Sequence, residues 1–350
     1  MPVTRIFLPV RSSSIGGRKW SWIGAILPHA PPGSRPVCRN RPVSAVQPPP
    51  DPNDLPRSFA SRDALEALLA KEFPEARGEL SSIRGGRRAA EKKLSQIEPG
   101  RYARSRNHLN GAVTGLSPYI RHGVLTLAEV RDAVFAGIRN RDEGQKLINE
   151  LGWRDFWQRM WQDLGDRIHN DQEEFKTGHA ASSYSRELPD DVRDGRTGLA
   201  CMDGFRDQLV STGWLHNHAR MWMAAWLVHW RRIHWKAGAD WFLEHLLDGD
   251  PASNHLSWQW VASTFSHKPY VFNKGNLERY SSGRYCTNCP SAAQCPFEAS
   301  YDQLEQQLFA VQASIRSVQP NRRSKRINQA SSNPASSNHA ARSRSARHSL

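Results

Sequence analysis

Apolar residues in this chain recur at spacings of three and four, the mark of helices with one buried face. The pattern predicts helices over 62–71, 86–97, 126–136 and 146–164. Ser61 stands before the first as a cap candidate, with Asp63 and Glu66 close behind it. A further helix is predicted over 215–232, where Trp222, Trp226 and Trp230 recur every four residues and so share a face. Strand-like alternation is almost absent. The expected class is therefore all-α, with a dozen or so helices joined by short loops. No apolar run approaches the roughly 20 residues that would span a bilayer, so no membrane partner is expected.

The pattern is densest over 211–264, which holds eight of the thirteen tryptophans. The plain reading of Trp222, Trp226 and Trp230 is a buried core helix. Beyond them, Asp248 and Asp250 flank a glycine at the end of an apolar helix, and Asn254 and the pair Trp258 and Trp260 follow. Carboxylates and an amide in aromatic surroundings need partners, because unpaired buried charge is expensive. A large polar ligand would supply them.

Three motifs in this stretch carry a resemblance: G-W-x-H-N-x-x-R-M over 213–221, D-G-D-x-x-x-N over 248–254 and W-Q-W-x-x-S-T over 258–264. In this order within about fifty residues they resemble the FAD-binding catalytic domain of the photolyase and cryptochrome family. The resemblance runs from about 84 to 300. It implies an all-α, photolyase-type FAD-binding helical domain. The α/β antenna domain that normally precedes it is expected to be lacking, because the residues ahead of the first flavin motif read as helices.

Over 100–123, Thr114, Gly115, Leu116 and Ser117 precede Pro118. Small hydroxyl residues and free amides at a helix start can bind an anion or simply cap the helix. By resemblance, Tyr102, Thr114, Gly115, Leu116 and Ser117 hold the flavin diphosphate and ribitol, although Val113 stands where the family has its first threonine. Residues 147–157, LINELGWRDFW, place Glu150, Trp153 and Arg154 at i, i+3 and i+4. Glu150 and Arg154 could form no more than a surface ion pair. The resemblance implies that Arg154 reaches the flavin and that Glu150 and Trp153 meet the damaged bases, together with Met221 and Trp260. It sets Asn217 beside the flavin N5, Asp248 and Asp250 along the isoalloxazine and ribose, and Arg220 and Asn254 in the same cofactor site. His218 replaces an arginine that contacts DNA phosphate in the family, which puts duplex affinity in question.

Charge changes less than it first suggests. The net charge is +14, but residues 1–50 hold seven Lys and Arg without an acid, and residues 317–350 hold seven more. Removing those fourteen leaves 51–316 with 34 basic and 34 acidic residues. DNA affinity must then come from a local basic surface. The leader, 1–50, has the composition of an organelle transit peptide, of a disordered bacterial extension, or of a start placed too far upstream. A cytoplasmic protein is expected, with organelle targeting as the alternative. Residues 51–83 read as a helical lead-in, 84–316 as the FAD-binding domain and 317–350 as a disordered basic tail.

Cys286, Cys289 and Cys295 form C-x2-C-x5-C, and Cys201 lies 85 residues upstream. Such clustering suits zinc or a [4Fe-4S] cluster better than disulfides, with unligated thiols as the plain alternative. The iron–sulfur branch of photolyases has one cysteine at this helix position and three near its C-terminus, so the resemblance implies the cluster. His216, His218, His229 and His234 lack a carboxylate at metal spacing and read as packing or phosphate contacts.

The implied activity is that of a deoxyribodipyrimidine photolyase, a carbon–carbon lyase. As a monomer it would repair pyrimidine dimers in DNA, single strands included, by electron transfer from reduced FAD. A cryptochrome-like photoreceptor without repair is the alternative, and a flavin-bound structural or DNA-binding protein the plainest one. Electron relay to the flavin is implied through Trp258 and then Trp235. The surface member is missing, because 180–196 holds no tryptophan and Tyr184 is the aromatic residue there.

Overall fold

Ser61 accepts a hydrogen bond from the Ala64 amide and starts the first helix, as its sequence position predicts. The computed structural model describes residues 56, 58–74 and 80–310. The basic leader and tail lie outside the described residues. Thirteen α-helices are found among the described residues: α1 Arg62–Glu72, α2 Arg87–Leu94, α3 Pro99–Ser105, α4 Ser117–Arg121, α5 Leu127–Ala136, α6 Arg141–Leu164 and α7 Asp190–Asp194. They continue with α8 Ala200–Thr212, α9 Asn217–Ala225, α10 Trp235–His245, α11 Pro251–Ala262, α12 Lys274–Ser281 and α13 Tyr301–Leu308. No strand is formed by the described residues, where Ser185 and Ile233 make an isolated bridge. The all-α expectation holds. None of these helices is long and apolar enough to cross a membrane.

Two helices differ from their predicted limits for identifiable reasons. Asn140 caps α6 by accepting from the Glu143 amide, so the helix starts at Arg141, five residues before the apolar repeat begins. The predicted helix over 215–232 starts later, at Asn217, because His216 caps it by accepting from the His218 amide. Its continuation, Trp226–Trp230, is a π-turn in which the Arg231 amide reaches back to the Trp226 carbonyl at 3.1 Å. Trp222 and Trp226 are fully buried as expected. Trp230, displaced by the wider turn, packs on Phe272 and Phe297 instead.

The main core gathers Phe205, Trp222, Trp226, Trp235, Phe242 and Phe272, with a smaller one around Leu116 and Tyr119. Helices α10 and α11 approach closely within the main core. A Cβ on Gly238 would lie 2.3 Å from Cη2 of Trp258, so only glycine lets the indole lie against α10. Gln259, between Trp258 and Trp260, is wholly buried. Its amide donates to the Ile168 carbonyl, and its oxygen accepts from the Gln172 amide and the Thr264 hydroxyl. It braces the chain behind the site.

Candidate functional site

Helices α6, α9, α10 and α11 enclose a cavity of about 400 Å³. Glu150, Trp153, Asn217, Arg220, Met221, Asp248, Asp250, Asn254, Trp258 and Trp260 all line it, as do Arg106, Trp157, Ser253 and Ser257. Residues from three motifs and the 147–157 segment thus converge on one space. Trp153 and Trp260, 52% and 40% exposed, stand at its mouth, while Trp258 is buried within it. Trp153 stacks on Trp157 with centroids 5.6 Å apart, so the aromatic wall continues inward.

The acidic residues have protein partners. Arg220 Nη2 donates to both oxygens of Asp248, at 3.0 and 2.8 Å. Asp250 caps α11 by accepting from the Ser253 amide and hydroxyl, receives Gln158 Nε2 at 2.9 and 2.8 Å, and has Arg121 3.5 Å away. The sequence argument that a ligand must satisfy these carboxylates therefore fails, since Gln158 and Arg121 are too distant in sequence to be recognised as partners. The pair Asp248 and Arg220 fixes the edge of the cavity instead.

Glu150 is likewise paired, with Arg106 at 3.0 Å and Lys146 at 3.2 Å, and not with Arg154. Arg106 also donates to the Tyr102 hydroxyl at 3.3 Å, which connects Tyr102 to the cavity through one side chain. Sequence reasoning missed Arg106. Its signal was an arginine four residues after the implicated Tyr102, one helical turn away.

Arg154, Tyr102, Thr114, Gly115, Leu116 and Ser117 do not line the cavity. Leu116 is buried in the smaller core, and Thr114 Oγ1 accepts from the Leu116 amide at 3.4 Å. Gly115 adopts φ +61° and faces the Lys93 amine, 3.3 Å from where a Cβ would stand. This puts a cation beside the hydroxyl-rich turn, a combination suited to an anion. His218 sits between Trp222 and Tyr280. Burial, with His216 and Arg106 nearby, lowers its pKa to about 4, so the imidazole is neutral at pH 7.

Trp235 is fully buried beside His234 and His255. Its indole N–H donates to Asp171, which His234 also approaches at 3.3 Å. His234 thus has a carboxylate partner, one the sequence did not reveal because it lies 63 residues away. Burial acts to raise the pKa of Asp171, but the hydrogen bonds from His234 and Trp235 outweigh it and hold the carboxyl below its usual range. Tyr184, the aromatic residue in the segment that lacks the surface tryptophan, is buried. It stacks on Phe175 at 4.3 Å and shares a hydrogen bond with Thr177 at 2.8 Å. Phe175 meets His234, and His234 meets Trp235, so rings connect Tyr184 to Trp235.

Cys201, Cys286, Cys289 and Cys295 line a second, small pocket of about 20 Å³, closed by Leu277, Tyr285 and Phe297. Burial raises the thiol pKa of Cys201, and that of Cys286 to about 11. Among the described residues, no three His, Cys, Asp or Glu side chains are gathered as a single-ion site.

Residues 147–306 match the model of the FAD binding domain of DNA photolyase. A deoxyribodipyrimidine photo-lyase of Streptomyces griseus is 32% identical over 189 residues, 52% of this chain and 40% of the relative. One of Halobacterium salinarum is 29% identical over 255 residues, 67% of this chain and 52% of the relative. The chain thus spans about half the length of these relatives. A cryptochrome crystal structure from Synechocystis shares the fold with a TM-score of 0.55 at 23% identity, covering 71% of this chain and 54% of that one.

Proposed function

We propose that this chain, which belongs to the photolyase and cryptochrome family through its FAD-binding domain, repairs pyrimidine dimers in DNA by light-driven electron transfer. The observation that supports this most is one cavity whose inner wall carries amides and a fixed ion pair and whose mouth carries two exposed tryptophans. When bound, reduced FAD would supply the photoexcited electron and take it back after the dimer splits. Asn217 and Asn254 offer amides to it, and Asp248 with Arg220 borders it. The turn at Thr114–Ser117 with Lys93 provides the anion-binding end.

Trp153 and Trp260 offer flat apolar faces to a base extruded from the stack, and extrusion costs least where pairing is already lost. Glu150 presents a carboxylate toward that space, held by Arg106 and Lys146. By holding the Arg106 guanidinium at the cavity wall, it would keep positive charge beside a dimer carbonyl that takes up the added electron. Glu150→Ala is expected to lower repair several-fold with FAD content near normal. Repair per absorbed photon on a dimer-bearing oligonucleotide measures this, and an unchanged yield would remove Glu150 from the mechanism. Absence of any repair in the unaltered, flavin-loaded protein would overturn the enzyme reading.

One observation favours a second reading, a photoreceptor that binds FAD without repair. A neutral, half-buried His218 gives no fixed cation for a DNA phosphate.

We further infer that the four cysteines hold a [4Fe-4S] cluster. A zinc ion would draw its thiolates to about 3.8 Å from one another, given bonds of about 2.3 Å. Four thiols lining one pocket match the number of protein ligands that such a cluster takes. Cys289→Ala is expected to abolish iron binding and destabilise 274–308, since ligation there is also folding energy. Metal analysis of anaerobically prepared protein checks this, and stoichiometric zinc without iron would refute the cluster.

A further inference from the structure

Indole N–H groups in the core meet acceptors of different kinds. Trp222 donates to the Asn276 amide oxygen at 3.1 Å and Trp230 to the Pro296 carbonyl at 3.0 Å. Both acceptors are neutral and negligibly basic. Trp235 donates to a carboxylate, that of Asp171. His234 fixes the arrangement, because its Nδ1 accepts from the Lys236 amide at 3.2 Å, leaving its proton on Nε2, on the side of Asp171. Trp235 has no exposed surface, whereas the Asp171 side chain is 26% exposed. The carboxylate thus bridges a sealed indole and solvent.

We propose that Asp171 is the proton acceptor for Trp235 when that tryptophan is oxidised. This rests on the reading in which Trp258 and Trp235 relay electrons to the flavin. The light-excited oxidised flavin is the ultimate oxidant, and one electron leaves Trp235 for the hole on Trp258. The tryptophan radical cation so formed is an acid of about carboxylic strength, unlike neutral indole. Its N–H bond breaks, the electron pair stays on nitrogen, and the proton binds an Asp171 oxygen. A neutral radical and a carboxylic acid replace a cation and an anion.

Burial favours that exchange, because a low-dielectric site disfavours charged forms, and the Trp235 hydrogen bond that helps hold the Asp171 carboxyl low in the resting state is itself the path the proton takes. Proton loss removes the positive hole that would otherwise recapture the electron. The exposed side of Asp171 then releases the proton to water, and an external thiol returns one electron and one proton to Trp235. Asp171 therefore acts through Trp235, as a positioning and proton-accepting residue.

Asp171→Asn is the discriminating variant, since the amide oxygen still accepts the indole N–H but cannot take its proton. In the FAD-loaded, full-length protein, flash absorption should show a neutral tryptophan radical. In Asp171→Asn it should show the radical cation, with a photoreduction yield lower by about tenfold, the equivalent of one unit of proton affinity. Infrared difference spectra of the unaltered protein should contain a carboxylic C=O stretch that is lost in the variant. Flavin content should not change, and the melting temperature should fall only modestly, since Asp171→Asn removes the charge whose hydrogen bonds hold that carboxyl below its usual pKa. Trp235→Phe separates the two readings. If it leaves photoreduction intact, the relay itself is wrong and the proposal falls with it. If it blocks photoreduction while Asp171→Asn still gives the neutral radical at the normal rate, only the role of Asp171 is overturned. Should Asp171→Asn fail to fold, deuterated solvent must slow radical deprotonation in the unaltered protein, and an unchanged rate there would equally refute the proposal.

Discussion

Gly238→Ala is expected to destabilise the protein by about 3 kcal/mol, the upper end of what overpacking costs. The added methyl would stand 2.3 Å from Cη2 and 2.5 Å from Cζ3 of Trp258. Neither side can yield cheaply. Trp258 also packs edge-on against Phe242 at 5.0 Å, and Gly238 lies inside α10. The ring would have to shift into the cavity, so flavin content should fall along with stability. Thermal denaturation checks this, with a drop of roughly 6–12 °C expected for a domain of this size. Gly152→Ala is the control. That glycine is on the exposed side of α6 with nothing within 4 Å of the added carbon, and the same substitution should stabilise by about 1 kcal/mol. If both variants melt together, the close packing of α10 on α11 does not carry the stability assigned to it.

Trp258→Phe is expected to abolish most flavin photoreduction while leaving the fold intact. Phenylalanine keeps the contact with Phe242 and relieves the approach to Gly238, but it is far harder to oxidise than tryptophan. Tyr184→Phe should have a much smaller effect. Tyr184 is buried, its hydroxyl meets the weakly basic Thr177 oxygen and the cationic Arg232, neither of which takes up a proton, and burial raises its pKa, so oxidation with proton loss is disfavoured. Steady-state photoreduction with a thiol donor measures both variants. Normal reduction in a Trp258→Phe protein that retains FAD would refute the relay.

The helical class and most of the cavity were legible in the sequence because both rest on short-range order. Asn217, Arg220 and Met221 occupy one helix start, and Asp248, Asp250, Asn254, Trp258 and Trp260 follow within thirteen residues. Periodicity alone brings such residues to one wall. What stayed hidden was pairing across long separations. Gln158 holds Asp250 from 92 positions away, and Arg106 holds Glu150 from just past the end of α3. Side-chain caps were hidden too. A histidine at 216 reads as packing or a phosphate contact, yet its Nδ1 accepts from the His218 amide and caps α9.

The π-turn over Trp226–Trp230 carries a consequence for which changes of length this chain can tolerate. A π-turn holds one residue more than an α-turn, so α9 and α10 are joined through a segment with a residue to lose. Deleting one residue there would restore regular helix. It would also rotate everything that follows by about 100°, the angle per residue of a 3.6-residue turn. Trp235 would swing away from Asp171, and Gly238 would no longer face Trp258. Relatives that differ by insertions or deletions should therefore keep the length of 226–238 fixed, even where surface loops on either side vary freely.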